Sequence, residues 1–306
     1  MNYETFKSSA VSSIQSYFGE NATVSLHSIT KNNNIQLDGL MIQSSSLNIS
    51  PTIYLNYYYE DYLAGKSLSS VFNEIISSYQ EHLPPEDMDL SFFTDYHKAK
   101  YHIIYKLINY SQNAELLTDV PHFRFLDLAV VFCCYLTDDA SGTCGNATIL
   151  IHNHHLSFWN ITADLLYELA IKNTPILLPY DLKSMEDVLQ SLCPDFNVSK
   201  SNTDYCTDES NETPPMYVLT NTEKLYGASA ILYPDILASF AELIDSDLYI
   251  LPSSIHEVLL LPKHKITNPS ELDNIIREVN TSQVLKEDIL SDHAYRFERA
   301  SGFITR

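Results

Sequence analysis

The run Leu126-Asp127-Leu128-Ala129-Val130-Val131-Phe132-Cys133-Cys134-Tyr135-Leu136 is the longest apolar stretch in the chain. It is only about half of the ~20 residues that cross a bilayer as a helix, so it reads as a buried strand. Outward from it the chain repeats one arrangement: strand, turn, strand, helix. The first copy takes strands at 126–136 and 147–152 and a helix from about Thr162 to Lys172. The second runs through 215–220 and 228–233 to a helix from Ile236 to Ile244. The third takes 247–252, 256–262 and a helix from Ser270 to Val279. A hairpin cannot hide its apolar face alone, whereas a helix laid across that face can. Three such units predict an α+β fold, with antiparallel or mixed sheets built from strand-strand-helix units and helices over one face.

Upstream, Tyr3, Phe6, Val11, Ile14, Tyr17 and Phe18 fall at three- and four-residue spacings before Gly19, which predicts a helix over 3–18. Strand-like runs at 22–31 and 34–43 flank Lys31-Asn32-Asn33-Asn34, a hairpin signal. Pro51 introduces a strand at 52–56, and the chain turns helical through Tyr57-Tyr58-Tyr59-Glu60-Asp61-Tyr62. Ser67 or Ser69 caps a helix to about Leu83, ended by Pro84-Pro85. A strand follows over 100–110, then a short helix around Asn113 to Leu117. A boundary between Leu117 and Arg124 divides the chain into an N-terminal α+β domain, 1–120, and a C-terminal one, 121–306, with a polar insert near 194–214.

Composition excludes several activities. The 306 residues carry 39 Asp and Glu against 18 Lys and Arg, a net charge of -21. That field repels phosphate backbones and anionic membranes. Seven glycines leave little from which to build a phosphate-cradling loop. Lys98, Lys100 and Lys106 are too sparse to override the global charge, so neither nucleic-acid nor membrane binding is expected. The start, Met1-Asn2-Tyr3-Glu4-Thr5-Phe6-Lys7, lacks the basic and apolar regions of a secretory signal. Five cysteines, Cys133, Cys134, Cys144, Cys193 and Cys206, show no Cys-x-x-Cys pair and read as free thiols of a cytoplasmic protein.

Some residue groups invite a chemical reading. On a strand, His152 and His154 of His152-Asn153-His154-His155 share a face at a spacing that suits one metal, but no motif supplies the remaining ligand. Exposed turn histidines are the expectation. Pro252-Ser253-Ser254-Ile255-His256-Glu257 holds the residue types of a nucleophilic triad, yet on a strand Ser254 and His256 share one face and Glu257 points away. A polar turn is expected there, with His256 hydrogen-bonded at the sheet end. Asp138-Asp139 and Asp245-Ser246-Asp247 lack the alternating ligands and central glycine of a calcium loop. Tyr57, Tyr58, Tyr59 and Tyr62 crowd one helix, as recognition residues or as packing against the hairpin.

The order Ile35-Gln36-Leu37-Asp38-Gly39-Leu40, Asn48-Ile49-Ser50-Pro51-Thr52-Ile53-Tyr54-Leu55-Asn56 and Tyr58-Tyr59-Glu60 resembles a family of uncharacterised proteins, a domain of unknown function from gut-dwelling anaerobic Firmicutes. The likeness continues through Asp119-Val120-Pro121-His122, Leu126 to Phe132, Asn153 with His155 and Trp159, Asn173-Thr174-Pro175, and Leu251 to Val258. It covers nearly the whole chain. One departure is Asn160, where members commonly have glycine. The resemblance implies no activity and assigns no functional residue.

The expectation is an acidic, cytoplasmic, non-enzymatic interaction or regulatory protein with an unknown protein partner and no cofactor. One alternative is a nucleic-acid-mimicking inhibitor of a DNA- or RNA-binding enzyme. A second is a metal-dependent hydrolase using His152 to His155.

Overall fold

The structure, a computed structural model, describes residues 1–44, 50–83, 91–136, 147–193 and 214–306. Asp138, Asp139, Cys144, Cys206, Pro84-Pro85 and nearly all of the polar insert lie outside the described residues. Contacts divide the chain into two compact units, Met1–Ala99 with Tyr135–Ile149, and Lys100–Cys134 with Leu150–Arg306. The first unit's main body thus ends at Ala99, where the sequence reading places the change near residue 120.

The first unit opens with helix α1, Tyr3–Phe18, whose N-cap Asn2 accepts a hydrogen bond from Thr5 N. Strands β1, Ala22–Thr30, and β2, Gln36–Ser44, pair antiparallel from Ala22↔Ser44 to Thr30↔Gln36. Asn33 and Asn34 turn the hairpin with positive φ, a conformation asparagine tolerates. Strand β3, Thr52–Tyr54, adds to β2, followed by α2, Leu55–Leu63, and α3, Leu68–Glu81. Phe6, Ala10 and Ile14 of α1 meet Leu40, Ile42, Leu55, Val71 and Ile75 in one core, each fully buried. Gly39 lets its neighbours close in: a Cβ there would lie 2.5 Å from Ile29 Cδ1 and 2.6 Å from Thr52 Cγ2, so those side chains would have to shift. Short helices α4, Ser91–Thr94, and α5, Tyr96–Ala99, close the first segment.

The second unit holds two antiparallel sheets. In one, β4, Ile103–Asn109, and β5, His122–Phe125, flank β6, Leu128–Leu136; β7, Ala147–Leu150, also pairs with β6, and the end of β6 and most of β7 fall in the segment Tyr135–Ile149 grouped with the first unit. Residues 128–135 of β6 are all buried, as the opening run requires. Helices α6, Asn153–Trp159, and α7, Ala163–Leu177, follow. The other sheet has the order β13-β12-β10-β11-β9-β8. Its members are β8, Tyr180–Ser184; β9, Tyr217–Asn221; β10, Leu248–Leu251; β11, Val258–Pro262; β12, Tyr295–Glu298; and β13, Phe303–Thr305. Helices α8, Met185–Leu192, α9, Ile236–Leu243, and α10, Leu272–Ser282, complete the α+β fold.

One expected strand is corrected. Residues 228–233 do not form a strand: Gly227–Leu232 is a 3₁₀ helix with residues 227–231 buried. Small side chains let this segment wind tightly into the interior, and Gly227 leaves no room for a Cβ against Thr220 Oγ1 and the His256 carbonyl. Strands β5, β8, β12 and β13 and helices α6 and α8 add to the elements read from sequence. All but α8 are seven residues or shorter, too short for periodicity to register.

Among the described residues strand β4 ends its sheet, and α7 covers that edge. Thr174 Oγ1 accepts from Tyr105 N at 3.1 Å and donates to Ala170 O at 2.6 Å. Asn173 Nδ2 donates to Lys100 O and Ile103 O at 2.8 and 3.1 Å. A helix side chain thus takes the place of a missing neighbour strand. Replacing Thr174 by Val keeps the shape but strands the buried Tyr105 N–H, so urea denaturation should show a loss of about 1–3 kcal/mol.

Candidate functional site

Four segments of the second unit bring polar side chains together around His256. The turn between β10 and β11 is closed by Ser254 Oγ, which accepts from His256 N at 3.0 Å. Ser254 therefore serves the turn, and the sequence expectation of a polar turn holds. The carboxylate that meets the ring is Asp288, not Glu257: Nε2 lies 3.6 Å from Asp288 Oδ1, and Ile255 N donates to Asp288 O at 2.8 Å. Nδ1 lies 3.1 Å from Lys224 O. The Tyr226 ring runs nearly parallel to the imidazole, 17° apart with centroids at 6.0 Å. Lys106 Nζ sits 4.3 Å from the Tyr226 ring centroid. Both Lys224 and Tyr226 adopt positive φ, a conformation that the packing of this loop must hold.

The electrostatics follow from these contacts. The Asp288 carboxylate beside Nε2 raises the His256 pKa, and partial burial opposes it without prevailing. Nδ1 faces both the Lys224 carbonyl at 3.1 Å and the Tyr226 backbone N–H, which donates to it at 3.4 Å. Burial pulls the Lys106 ammonium down, yet Tyr226 and Asp288 among its neighbours help hold it above its ordinary value. Burial pushes the Cys133 thiol up against the pull of Lys106, so the thiol stays protonated and unreactive. The arrangement is a polar clamp joining loops far apart in sequence.

His152, His154 and His155 do come together, but at the start of α6 and not along a strand. His152 is the N-cap, and its backbone N donates to His155 Nδ1 at 2.9 Å, one arm of a capping box. His152 Nδ1 pairs with Asp119 Oδ2 at 2.7 Å, while Asn153 N and Nδ2 donate to Asp119 O and Thr118 O. The His154 and His155 rings lie 3.8 Å apart, and His155 also stacks on Trp159. Burial and then the neighbouring histidines lower the His155 pKa. The arrangement anchors a helix start. Among the described residues no group of three or more His, Cys, Asp or Glu is placed to hold a metal ion.

The other charged pairs are also occupied. Asp247 meets Lys263 Nζ at 3.1 Å, Arg296 Nη2 at 3.4 Å and Arg299 N at 3.1 Å; Asp245 meets Arg299 Nη1 at 2.6 Å. In the first unit Tyr58, Tyr59 and Tyr62 pack on the core. Tyr59 OH donates to Met1 O at 3.0 Å, and its ring lies 4.9 Å from Tyr3 and 5.2 Å from Phe6. Tyr57 and Tyr58 line a groove of ≈ 320 Å³ with Pro51, Ile53, Tyr54 and His82. The cluster thus divides between packing and a surface concavity. Sequence reasoning missed Tyr226, Asp288 and Asp119 as partners, because each reaches its histidine across about 30 residues that carry no local signal.

A model described as Family of unknown function (DUF5688) matches residues 3–299, and the chain belongs to that family. No curated protein and no solved structure matches it. No helix among the described residues is long and apolar enough to cross a membrane.

The His256 clamp has a pH signature. A folded pKa raised above the unfolded value of about 6.5 gives stability that is fully present below that value and lost as pH rises through the folded pKa. Denaturation of the wild type and Asp288→Asn at pH 6 and pH 9 should show a larger gap at the lower pH. Partial exposure keeps that gap to about 1 kcal/mol or less.

Proposed function

We propose that this member of the family is a non-enzymatic interaction or regulatory protein that docks a protein partner on the tyrosine groove of its first unit. The observation that supports this reading is the groove itself. Tyr54, Tyr57 and Tyr58 converge there beside Pro51 and Ile53, with Ser78 and His82 at its wall. Tyrosine rings offer large apolar area with few rotatable bonds and a polar tip, which is why they are enriched at recognition surfaces. Lys31 Nζ lies 4.3 Å from the Tyr54 ring centroid, which steadies that wall.

A net charge of -21 argues against a nucleic-acid partner and for a neutral or basic protein. The free thiols of Cys133, Cys134 and Cys193 agree with a cytoplasmic setting, and the sequence resemblance with a gut-dwelling Firmicute source.

Affinity capture from the native host tests the reading. Wild-type protein should retain a protein partner, and Tyr54→Ala/Tyr57→Ala should retain it at least about tenfold more weakly while staying folded by circular dichroism. Equal capture by both proteins, an empty capture by the wild type, or turnover in a broad hydrolase or transferase screen would overturn it.

A further inference from the structure

Strand β8 ends the six-stranded sheet, and among the described residues no strand pairs with its outer side. Its inner ladder fixes which backbone groups face outward. Thr222 N donates to Pro179 O and Met185 N donates to Met216 O, so Asp181 and Lys183, midway between, direct their N–H and C=O groups at β9. Tyr180 and Leu182 therefore direct theirs away from the sheet, as does the Ser184 N–H.

The side chains of this edge are complementary to a copy of themselves. We infer that the edge is a homodimer interface, in which β8 pairs antiparallel with β8 of a second copy about a twofold axis at Leu182. In that register Leu182 faces Leu182 of the second copy, exchanging two hydrogen bonds, and each Ser184 N–H reaches the Tyr180 carbonyl of the other copy. Asp181 then lies opposite Lys183 of the second copy, and Lys183 opposite its Asp181. One set of outward groups and one pair of opposite charges select the same register, and a shift by one residue would lose both.

Within one chain Asp181 and Lys183 already pair at 2.7 Å, so dimerisation joins two local pairs into a four-charge cluster across the seam. Beside the edge, α8 carries Met185, Val188, Leu189 and Leu192 at i, i+3, i+4 and i+7, and none of them is buried. Leu192 is 68 % exposed and Tyr180 49 %. A twofold axis normal to the sheet places both α8 helices on the same face of the joined sheet, where these stripes extend the contact. The tyrosine groove belongs to the other unit.

Sedimentation and light scattering of the full chain at about 150 mM salt, over roughly 1–100 μM, test this pairing. The wild type should dimerise. K183D and D181K each set like charges opposite one another at both cross-strand positions and should weaken the dimer about tenfold or more. The double exchange D181K/K183D restores opposite charges and should restore the dimer. L182P removes an outward N–H that β9 does not use, and should leave a folded monomer by circular dichroism. A wild type that stays monomeric at the highest concentration, a dimer indifferent to all four variants, or a double exchange no better than the single ones would overturn the inference.

Discussion

Two side chains on one turn of α7, Asn173 and Thr174, hold the edge of β4, and the packing of the second unit depends on them. An apolar strand buried against a helix cannot leave its outer backbone groups dry and unpaired, because each one costs about 1–3 kcal/mol. Thr174 supplies an acceptor to Tyr105 and Asn173 supplies donors to two carbonyls of the same stretch. With its edge satisfied, β4 can place Ile103, Tyr105 and Leu107 in the interior and carry Lys106 toward the Tyr226 loop. The spacing of the apolar residues supplies the burial; these polar contacts decide where α7 sits.

The same economy of polar groups runs through the histidines. His152 and His155 complete a helix start, and His256 ties its own loop to Lys224 and Asp288. Asp245 and Asp247 gather Lys263, Arg296 and Arg299 into an ionic knot at the sheet end. Buried or half-buried polar groups find protein partners as a rule, and here that rule accounts for residues whose spacing invites catalytic or metal-binding readings. In a chain with so few cations, many of the described ones are engaged in such knots. With 39 Asp and Glu against 18 Lys and Arg, the excess of acidic residues sets a negative field.

How much of this was legible in the sequence depended on length and on separation. The long periodic segments, α1, the β1–β2 hairpin, α3, α7 and the β10–β11 pair, were legible because one buried face repeats at 3.6 or 2 residues over several turns or pleats, and β6 because its apolar run is unbroken. The misread segment at 228–233 has apolar character but no periodic stripe, and only its packing distinguishes a tight 3₁₀ turn from a strand. Strand β8 mixes Asp181 and Lys183 with Leu182, as edge strands do, and so hides its identity. At the site, His256 and its polar turn were legible, whereas Asp288 and Tyr226 were not, since loop closure brings them in from afar. For the tyrosines, sequence alone could not separate Tyr59 and Tyr62, which pack inward, from Tyr57, which lines the groove.

The buried thiols of β6 give the fold an internal clock. Burial pushes Cys134 up to about 12, and Cys133 beside it is raised as well, so neither presents thiolate to a reagent while the sheet is closed. Cys193 is exposed at the end of α8. An alkylating agent therefore meets one described cysteine at once, and reaches the other two only when the central strand separates from its neighbours. The rate at which those two become modified reads the opening frequency of the sheet.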